Sequence, residues 1–256
     1  MDLGKRLAKV ASLVLPADTM ADVGCDHGYL SVYLIEQKRC SRMIAMDVNK
    51  GPLQKARENI GKYGYGDYIE TRLSDGLQQL RSGETDGYIC AGMGGPLALQ
   101  ILWNDRDKVS RMQQIILQPQ SELWLVRRTL RQWGFVIEKE DVEYEDGKYY
   151  FMMRIRPGEH LSIDSMPGEE VTLFDREDAE LSEHQLQKYA YELYAEELLN
   201  NRNEVLYEYI NREIQRLTEI YNSLIKQEES EKCAKRVRMV QKELAVQNLA
   251  LKQYKD

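Results

Sequence analysis

A chain of 256 residues with 43% hydrophobic side chains can hold one fair-sized domain plus an appendage. The net charge of −7 argues against nucleic-acid binding over the whole surface, and the excess acid is confined to one part: residues 1–157 carry 22 Lys and Arg against 21 Asp and Glu, residues 158–256 carry 13 against 21. The four cysteines (Cys25, Cys40, Cys90 and Cys233) have neither CxxC spacing nor paired histidines, so no metal site is expected and they read as free thiols of a reducing compartment.

In chain order, Leu3, Leu7, Val10 and Val14 recur every three or four residues before Pro16, the pattern of an amphipathic helix. This apolar stretch is too short and too interrupted for a signal peptide or a membrane span, so a cytoplasmic protein without membrane association is expected. Strands are then predicted at 20–24, 42–47, 68–73, 87–91 and 114–117, with helices at 29–37, 53–63 and 123–133. Residues 135–144 and 149–156 read as two more strands joined at Glu145-Asp146-Gly147-Lys148, because Asp-Gly tolerates the positive φ of a tight hairpin turn. Alternating strands and helices followed by an antiparallel pair predict an α/β fold, a doubly wound sheet with a hairpin at one edge.

The remainder is different. Pro157-Gly158 and Pro167-Gly168 mark loops, and 158–202 is expected to be a linker with short helical segments. Apolar residues at 206, 210, 214, 217, 221 and 224, then at 233, 237, 240, 244 and 251, form narrow helical stripes. Two helices joined near Glu229-Ser230 would make an antiparallel hairpin over 203–256, either a solvated coiled-coil appendage or an arm that grips a partner.

The stretch ADVGCDHGYL, residues 21–30, opens like a nucleotide-binding fold, yet Asp26 and His27 stand where a pyrophosphate-binding glycine belongs. A carboxylate there repels phosphate. It suits S-adenosylmethionine, which brings a sulfonium and an ammonium and no phosphate. Asp22 and Gly24 end the first strand. Asp47 ends the second, where a carboxylate can accept from ribose hydroxyls, and Asp75 follows the third, where it can accept from an adenine amino group. Asp26 could instead be a helix cap, and His27 could pack on the ligand or cap the turn. The fourth strand runs into Ala91-Gly92-Met93-Gly94-Gly95-Pro96; its glycines would let main chain approach a flat acceptor, or simply make a tight turn.

DVGCDHGYL (22–30), AGMGG (91–95), ILQPQ (116–120) and GFVIEKE followed by GKYY (134–150) resemble the bacterial tRNA adenine-N1-methyltransferases that act on adenine 22. The resemblance covers residues 1 to about 156. It implies a class I methyltransferase domain with a Rossmann-like sheet over 1–157, followed by a helical coiled-coil domain. It also implies an S-adenosyl-L-methionine site at Gly24, Asp26, His27, Asp47, Val48, Asp75, Gly76, Ala91, Gly92, Met93 and Gly94, alongside Asp22, with Asp26, His27 and Met93 positioning the reactants. Three places depart from the family pattern: Gln120 where asparagine is usual, Phe151 after GKYY, and YAEELL at 194–199.

N1 of adenine already has a lone pair, so no strong general base is required and alignment supplies much of the rate. N1 lies on the pairing edge, so the base must be unpaired or extruded. Candidate phosphate contacts are Lys5, Arg6 and Lys9 on the first helix and Arg127, Arg128 and Arg131 on the helix at 123–133. The expected partner is tRNA, the expected oligomeric state a monomer. A methyltransferase for another RNA site or a small molecule, or a non-catalytic donor-binding module, stays open.

Overall fold

The computed structural model describes residues 1–168, 171–174, 180–226 and 230–254. It divides into two compact units, Met1–Pro167 and Gly168–Asp256.

The first unit runs α1 (Gly4–Ser12), β1 (Ala17–Val23), α2 (Tyr29–Glu36), β2 (Cys40–Asp47), α3 (Lys50–Lys62), β3 (Ile69–Leu73), β4 (Gly87–Met93), α4 (Gly95–Asn104), α5 (Arg106–Val109), β5 (Gln114–Pro119), α6 (Leu123–Gln132), β6 (Phe135–Glu145) and β7 (Lys148–Pro157). Its seven strands form one sheet in the order β3-β2-β1-β4-β5-β7-β6. β1 to β5 are parallel, while β7 runs antiparallel to both β5 and β6. This is the doubly wound sheet with a terminal hairpin that the alternation of elements predicts.

Burial explains the strand composition. The central strands are covered on both faces, so they read as near-continuous apolar runs rather than alternating ones. Every residue of β5 is buried, as are the last four of β1 and the first four of β4. One core packs Ala21, Val23, Tyr88 and Leu117 under α4 and α6; the other packs Met20, Met43, Ile89 and Ile116 with α1, α2 and α3. Most predicted strands are a residue or two short at an end, because hydrogen-bond ladders continue past the apolar run.

Two helices were not expected. α4 and α5 occupy the interval between β4 and β5, where the glycines at 92–95 had read as a loop. Pro96 sits in the first turn of α4, where its missing N–H is not needed. Ala98, Leu99, Ile101 and Leu102 then form its buried face. Gly95 is therefore helical; a Cβ on it would meet Val126 Cγ2 at 2.9 Å, so α4 and α6 pack on its absence.

Residues beyond β7 still belong to the first unit. Trp133 Nε1–H donates to the Ser165 carbonyl (3.0 Å), Ser162 N–H donates to the Trp133 carbonyl (2.8 Å), and Ile163 is buried. The division between units thus falls inside the segment 158–202 that reads as a linker.

The second unit contains α7 (Glu183–Tyr194), α8 (Glu196–Asn200), α9 (Glu204–Leu224) and α10 (Glu231–Lys252). α7 begins with a reciprocal capping box between Ser182 and Gln185 and packs on α10. α9 and α10 are antiparallel: Cys233, at the start of α10, donates to the Leu224 carbonyl (3.5 Å), and Tyr254 Oη–H donates to the Asn203 carbonyl (3.0 Å). The seam includes Leu206, Ile210 and Leu217 facing Val240, Val246 and Ala250, all buried. The expected junction near 229–230 falls partly outside the described residues; Ser230 is the N-cap of α10, its hydroxyl accepting from Cys233 N–H (3.1 Å). Among the described residues, no helix is long and apolar enough to cross a membrane.

Candidate active site

Between β1 and β4 the chain reverses its direction of travel across the sheet, since β2 and β3 lie on one side and β5 to β7 on the other. Ligands of open α/β sheets bind beyond the carboxyl ends of the strands at such a point. A cavity of about 320 Å³ lies there. Its walls include Asp22, Gly24, Asp26 and His27 from the end of β1 and the turn into α2, and Ala91, Gly92 and Met93 from the end of β4.

The floor is acidic. Asp22 is buried, and its Oδ2 accepts from the Ser31 hydroxyl at 2.8 Å. Burial raises its pKa from the ordinary 3.8 to about 6; the Ser31 hydrogen bond opposes this, and the charge of Asp47 adds to it. The thiols of Cys25, on the cavity wall, and of buried Cys90 are pushed upward by burial and by the charge of Asp22. At neutral pH they are protonated, so neither is a thiolate nucleophile.

The turn from β1 to α2 is shaped by backbone conformations that few residues tolerate. Gly24 has φ +74°, and a Cβ on it would stand 2.5 Å from Met93 Cε. Asp26 has φ +48°. A non-glycine residue there is uncommon, and Asp is among the types that accept it. The conformation lifts the Asp26 side chain to 71% exposure, with its Oδ1 3.6 Å from His27 Nε2. The helix-cap role does not hold for Asp26: the N-cap of α2 is Gly28, and no side chain caps that end. His27 stacks on Tyr29, with ring centroids 5.8 Å apart and planes 19° off parallel, and both rings line the cavity. The carbonyl of His27 accepts from Asn59 Nδ2 (3.0 Å), which ties this turn to α3.

On the opposite wall, β4 breaks register against β5 between Ala91 and Met93, where Gly92 takes φ +88°. This bulge turns the strand end toward the cavity. Gln120 N–H donates to the Met93 carbonyl (2.8 Å), so the residue after β5 braces the bulge, and Gln120 also lines the cavity.

The other sequence-predicted donor residues lie along the same carboxyl edge of the sheet but outside the cavity wall. Asp47 is buried, with Oδ1 accepting from Asn49 N–H (2.8 Å), while the neighbouring Val48 side chain is exposed. Asp75 is exposed in the turn after β3. Ser74 fixes that turn: its hydroxyl donates to the Gly76 carbonyl (2.9 Å) and accepts from Gln79 N–H (3.2 Å). Gly94 is the N-cap of α4.

The predicted RNA contacts separate. Arg127 is fully buried, with Nε 2.7 Å from Glu140 Oε1 and its guanidinium over the Phe151 ring. It lies on the inward face of α6 and cannot reach a phosphate, so that assignment is corrected: the helical stripe carried an arginine at a core position. Lys9 is engaged by Asp141 (3.2 Å) and Glu143 (3.8 Å) of β6. Arg128 lies over Trp124, and Arg131 is exposed at the end of α6. Arg6 lines the cavity. Sequence reading missed Leu7, Cys25, Tyr29 and Leu30 as cavity residues and marked Gln120 only as a departure from the family pattern. Leu7 and Leu30 read as ordinary core positions, and nothing in the sequence reveals that α1 folds against the carboxyl edge.

A family model described as a methyltransferase domain matches residues 3–153. The tRNA (adenine(22)-N(1))-methyltransferase of Bacillus subtilis is 34% identical over 159 residues, 62% of this chain and 67% of that protein. The crystal structure of the B. subtilis m1A22 tRNA methyltransferase TrmK superposes with a TM-score of 0.78 at 27% identity, covering 98% of this chain and 99% of that one. TrmK of M. capricolum, solved in complex with S-adenosyl-homocysteine, gives 0.71 at 26% identity over 95% of this chain and 98% of that one.

Proposed function

This chain belongs to the TrmK-like family of class I methyltransferases, and from that membership we propose that the cavity between β1 and β4 is where it methylates N1 of adenine 22 in tRNA, with S-adenosyl-L-methionine as donor. The observation that carries the reading is the buried Asp22 carboxylate at the floor of a crevice whose helix N-terminus presents Asp26 instead of a phosphate-binding loop.

The residues fit the donor. Asp22 holds a carboxylate that burial makes costly to ionise, and a cation beside it would restore the ionised form. Gly24 and Met93 leave a slot that any side chain at 24 would fill. Asp22, Gly24, Asp26 and His27 would hold the amino acid end, Asp47 the ribose, Val48, Asp75 and Gly76 the adenine, and Ala91, Gly92, Met93 and Gly94 the methyl-bearing side. When bound, the donor supplies an activated methyl group on a sulfonium centre.

The protein's part in the transfer is alignment and charge. N1 attacks with its own lone pair, so no residue must remove a proton first, and the protonated thiols of Cys25 and Cys90 leave the nucleophile to the base. Bulged Gly92 and the Met93 side chain bound the space in which the base edge must lie. His27 and Tyr29 offer a stacked aromatic surface at the mouth of the cavity. Stacking of this kind repays part of the few kcal/mol that extruding a base costs. The methylated base is cationic, and Asp26, the most exposed carboxylate of the cavity wall, is the group suited to stabilise that charge. A tRNA substrate fits an enzyme that works in the cytoplasm.

Equilibrium titration with S-adenosyl-L-methionine tests the donor half. Wild type should bind, and Asp47→Ala should lose roughly tenfold or more in affinity while remaining folded, the cost of a charge-assisted hydrogen bond to a ribose hydroxyl. Unchanged affinity in a folded Asp47→Ala would remove Asp47 from the site. Methyl transfer to a small molecule but not to tRNA would favour the alternative substrate class.

A further inference from the structure

The first four amides of a helix have no partners of their own, and the N-cap of α1, Leu3, supplies no side-chain bond. Gly4 N–H donates to the neighbouring Asp2 Oδ1 (3.0 Å), and the next two are capped from across the fold. Glu145, at the end of β6, accepts from the backbone N–H of Lys5 and from that of Arg6 (3.3 Å). A carboxylate is favourable there on electrostatic grounds as well. One turn on, the Lys9 pairs with Asp141 and Glu143 fix the same helix to the same strand. α1 is thereby clamped to the edge of the sheet, with Arg6 directed over the cavity.

The Arg6 side chain is itself held. Its Nη1 donates to Gln118 Oε1 at 2.7 Å, and its guanidinium carbon lies 5.4 Å from the centroid of the Tyr150 ring. Gln118 is fully buried in β5, and its Nε2 donates to the Pro119 carbonyl (3.2 Å), which fixes the orientation of the amide. Arg6 Nη1 is 3.6 Å from the position a Cβ on Gly92 would take, beside the bulge of β4. A guanidinium has five N–H donors. Gln118 takes one, and among the described residues Arg6 forms no ion pair.

An oriented cation in this crevice suits neither the sulfonium nor the ammonium of the donor, and the donor's one anion, its α-carboxylate, belongs to the amino acid end assigned above to Asp22, Gly24, Asp26 and His27, whereas Arg6 stands beside Gly92. It suits a different anion. The substrate supplies one, because a base extruded into the cavity brings its flanking phosphates to the cavity mouth. Resting on the tRNA reading above, we propose that Arg6 is the anchor for a phosphodiester next to the target nucleotide, and that Gln118 and Glu145 are positioning residues that present its guanidinium fork.

The test is a comparison of Arg6→Ala, Gln118→Met, Gln118→Glu and Glu145→Ala with wild type. Four quantities are measured: donor affinity, KM and kcat for an unmodified tRNA transcript, and the salt dependence of tRNA binding. Arg6→Ala should raise the tRNA KM roughly tenfold or more, as expected for loss of a charge-assisted contact. Its log–log salt slope should become shallower by about 0.7–0.9, the loss of one phosphate contact, with donor affinity unchanged. Gln118→Met and Glu145→Ala should shift KM the same way by less, and Gln118→Glu, whose carboxylate would neutralise Arg6 and cannot donate to the Pro119 carbonyl, should not restore tRNA binding. Glu145 is partly exposed, so its variant serves if Gln118→Met fails to fold. An unchanged tRNA KM and salt slope in folded Arg6→Ala overturns the proposal. So does a loss confined to donor affinity. Failure of wild type to methylate any tRNA would instead overturn the function on which the proposal rests.

Discussion

Replacing Asp22 by asparagine should make the unliganded protein more stable and the enzyme worse. Asp22 lies at the floor of the cavity, buried, with a pKa raised from 3.8 to about 6. That rise corresponds to roughly 3 kcal/mol, at about 1.4 kcal/mol per tenfold change in the proton equilibrium. The sign follows from linkage. Below pH 3.8 the carboxyl is protonated in both the folded and unfolded chain and costs nothing. As pH rises, the unfolded chain ionises first, so stability falls until the folded carboxyl ionises near pH 6, and the full cost persists above it. Asparagine is nearly isosteric, and its carbonyl can still accept from the Ser31 hydroxyl. Asp22→Asn should therefore exceed wild type by roughly 3 kcal/mol at pH 8 and by less than about 1 kcal/mol at pH 4, measured by urea unfolding of the unliganded protein. Donor affinity should move the other way, falling by roughly tenfold or more, and wild-type affinity should itself weaken as pH drops through 6. A gain that is absent at pH 8, or equal at both pH values, would show that no ionised carboxylate is buried there. An unchanged donor affinity would show that the charge does not serve the donor.

Two further substitutions separate the framework from the site. Arg127→Ala strips one partner from the buried pair with Glu140 and should cost roughly 3–5 kcal/mol of stability by chemical denaturation; normal stability with lost tRNA binding would show that Arg127 serves the RNA and not the core. Gly24→Ala places a Cβ against Met93 in a backbone conformation with φ +74°, so it should abolish measurable donor binding in calorimetric titration; a variant that binds normally would show that the slot between Gly24 and Met93 is not used.

The sheet was legible because its signals are local. Apolar runs mark the strands, with Asp22 and Asp47 at the carboxyl ends of β1 and β2, and the Asp146-Gly147 turn announces the β6–β7 hairpin, with φ of +48° and +81°. The backbone shape at the end of β1 was legible for the same reason: glycines and an aspartate at positions of positive φ are a sequence-level record of it. Helix α4 was missed because its N-terminal glycines have two uses. One of them, Gly92, makes the bulge, whereas Gly95 lets α4 pack tightly on α6. Arg127 was misread because a buried arginine with a carboxylate from another strand leaves no trace in its own helix. The role of α1 was hidden most completely. Its cap comes from Glu145 and its arginine is oriented by Gln118, contacts about 140 and 112 residues distant in sequence, and only the folded chain brings them together. The α7–α8 segment was hard to see because its apolar residues are interspersed with tyrosines and charges, although the Ser182–Gln185 capping box was present as a start signal.

The account stands most directly on one measurement: incubating the protein and S-adenosyl-L-methionine with an unmodified tRNA transcript carrying adenine at position 22, followed by primer extension. N1-methyladenine cannot pair, so reverse transcription should stop beside position 22, and the stop should vanish when that adenine is replaced by guanine or when the donor is withheld. A stop at another adenine, or none while the donor still binds, would contradict the assignment of adenine 22 as the acceptor.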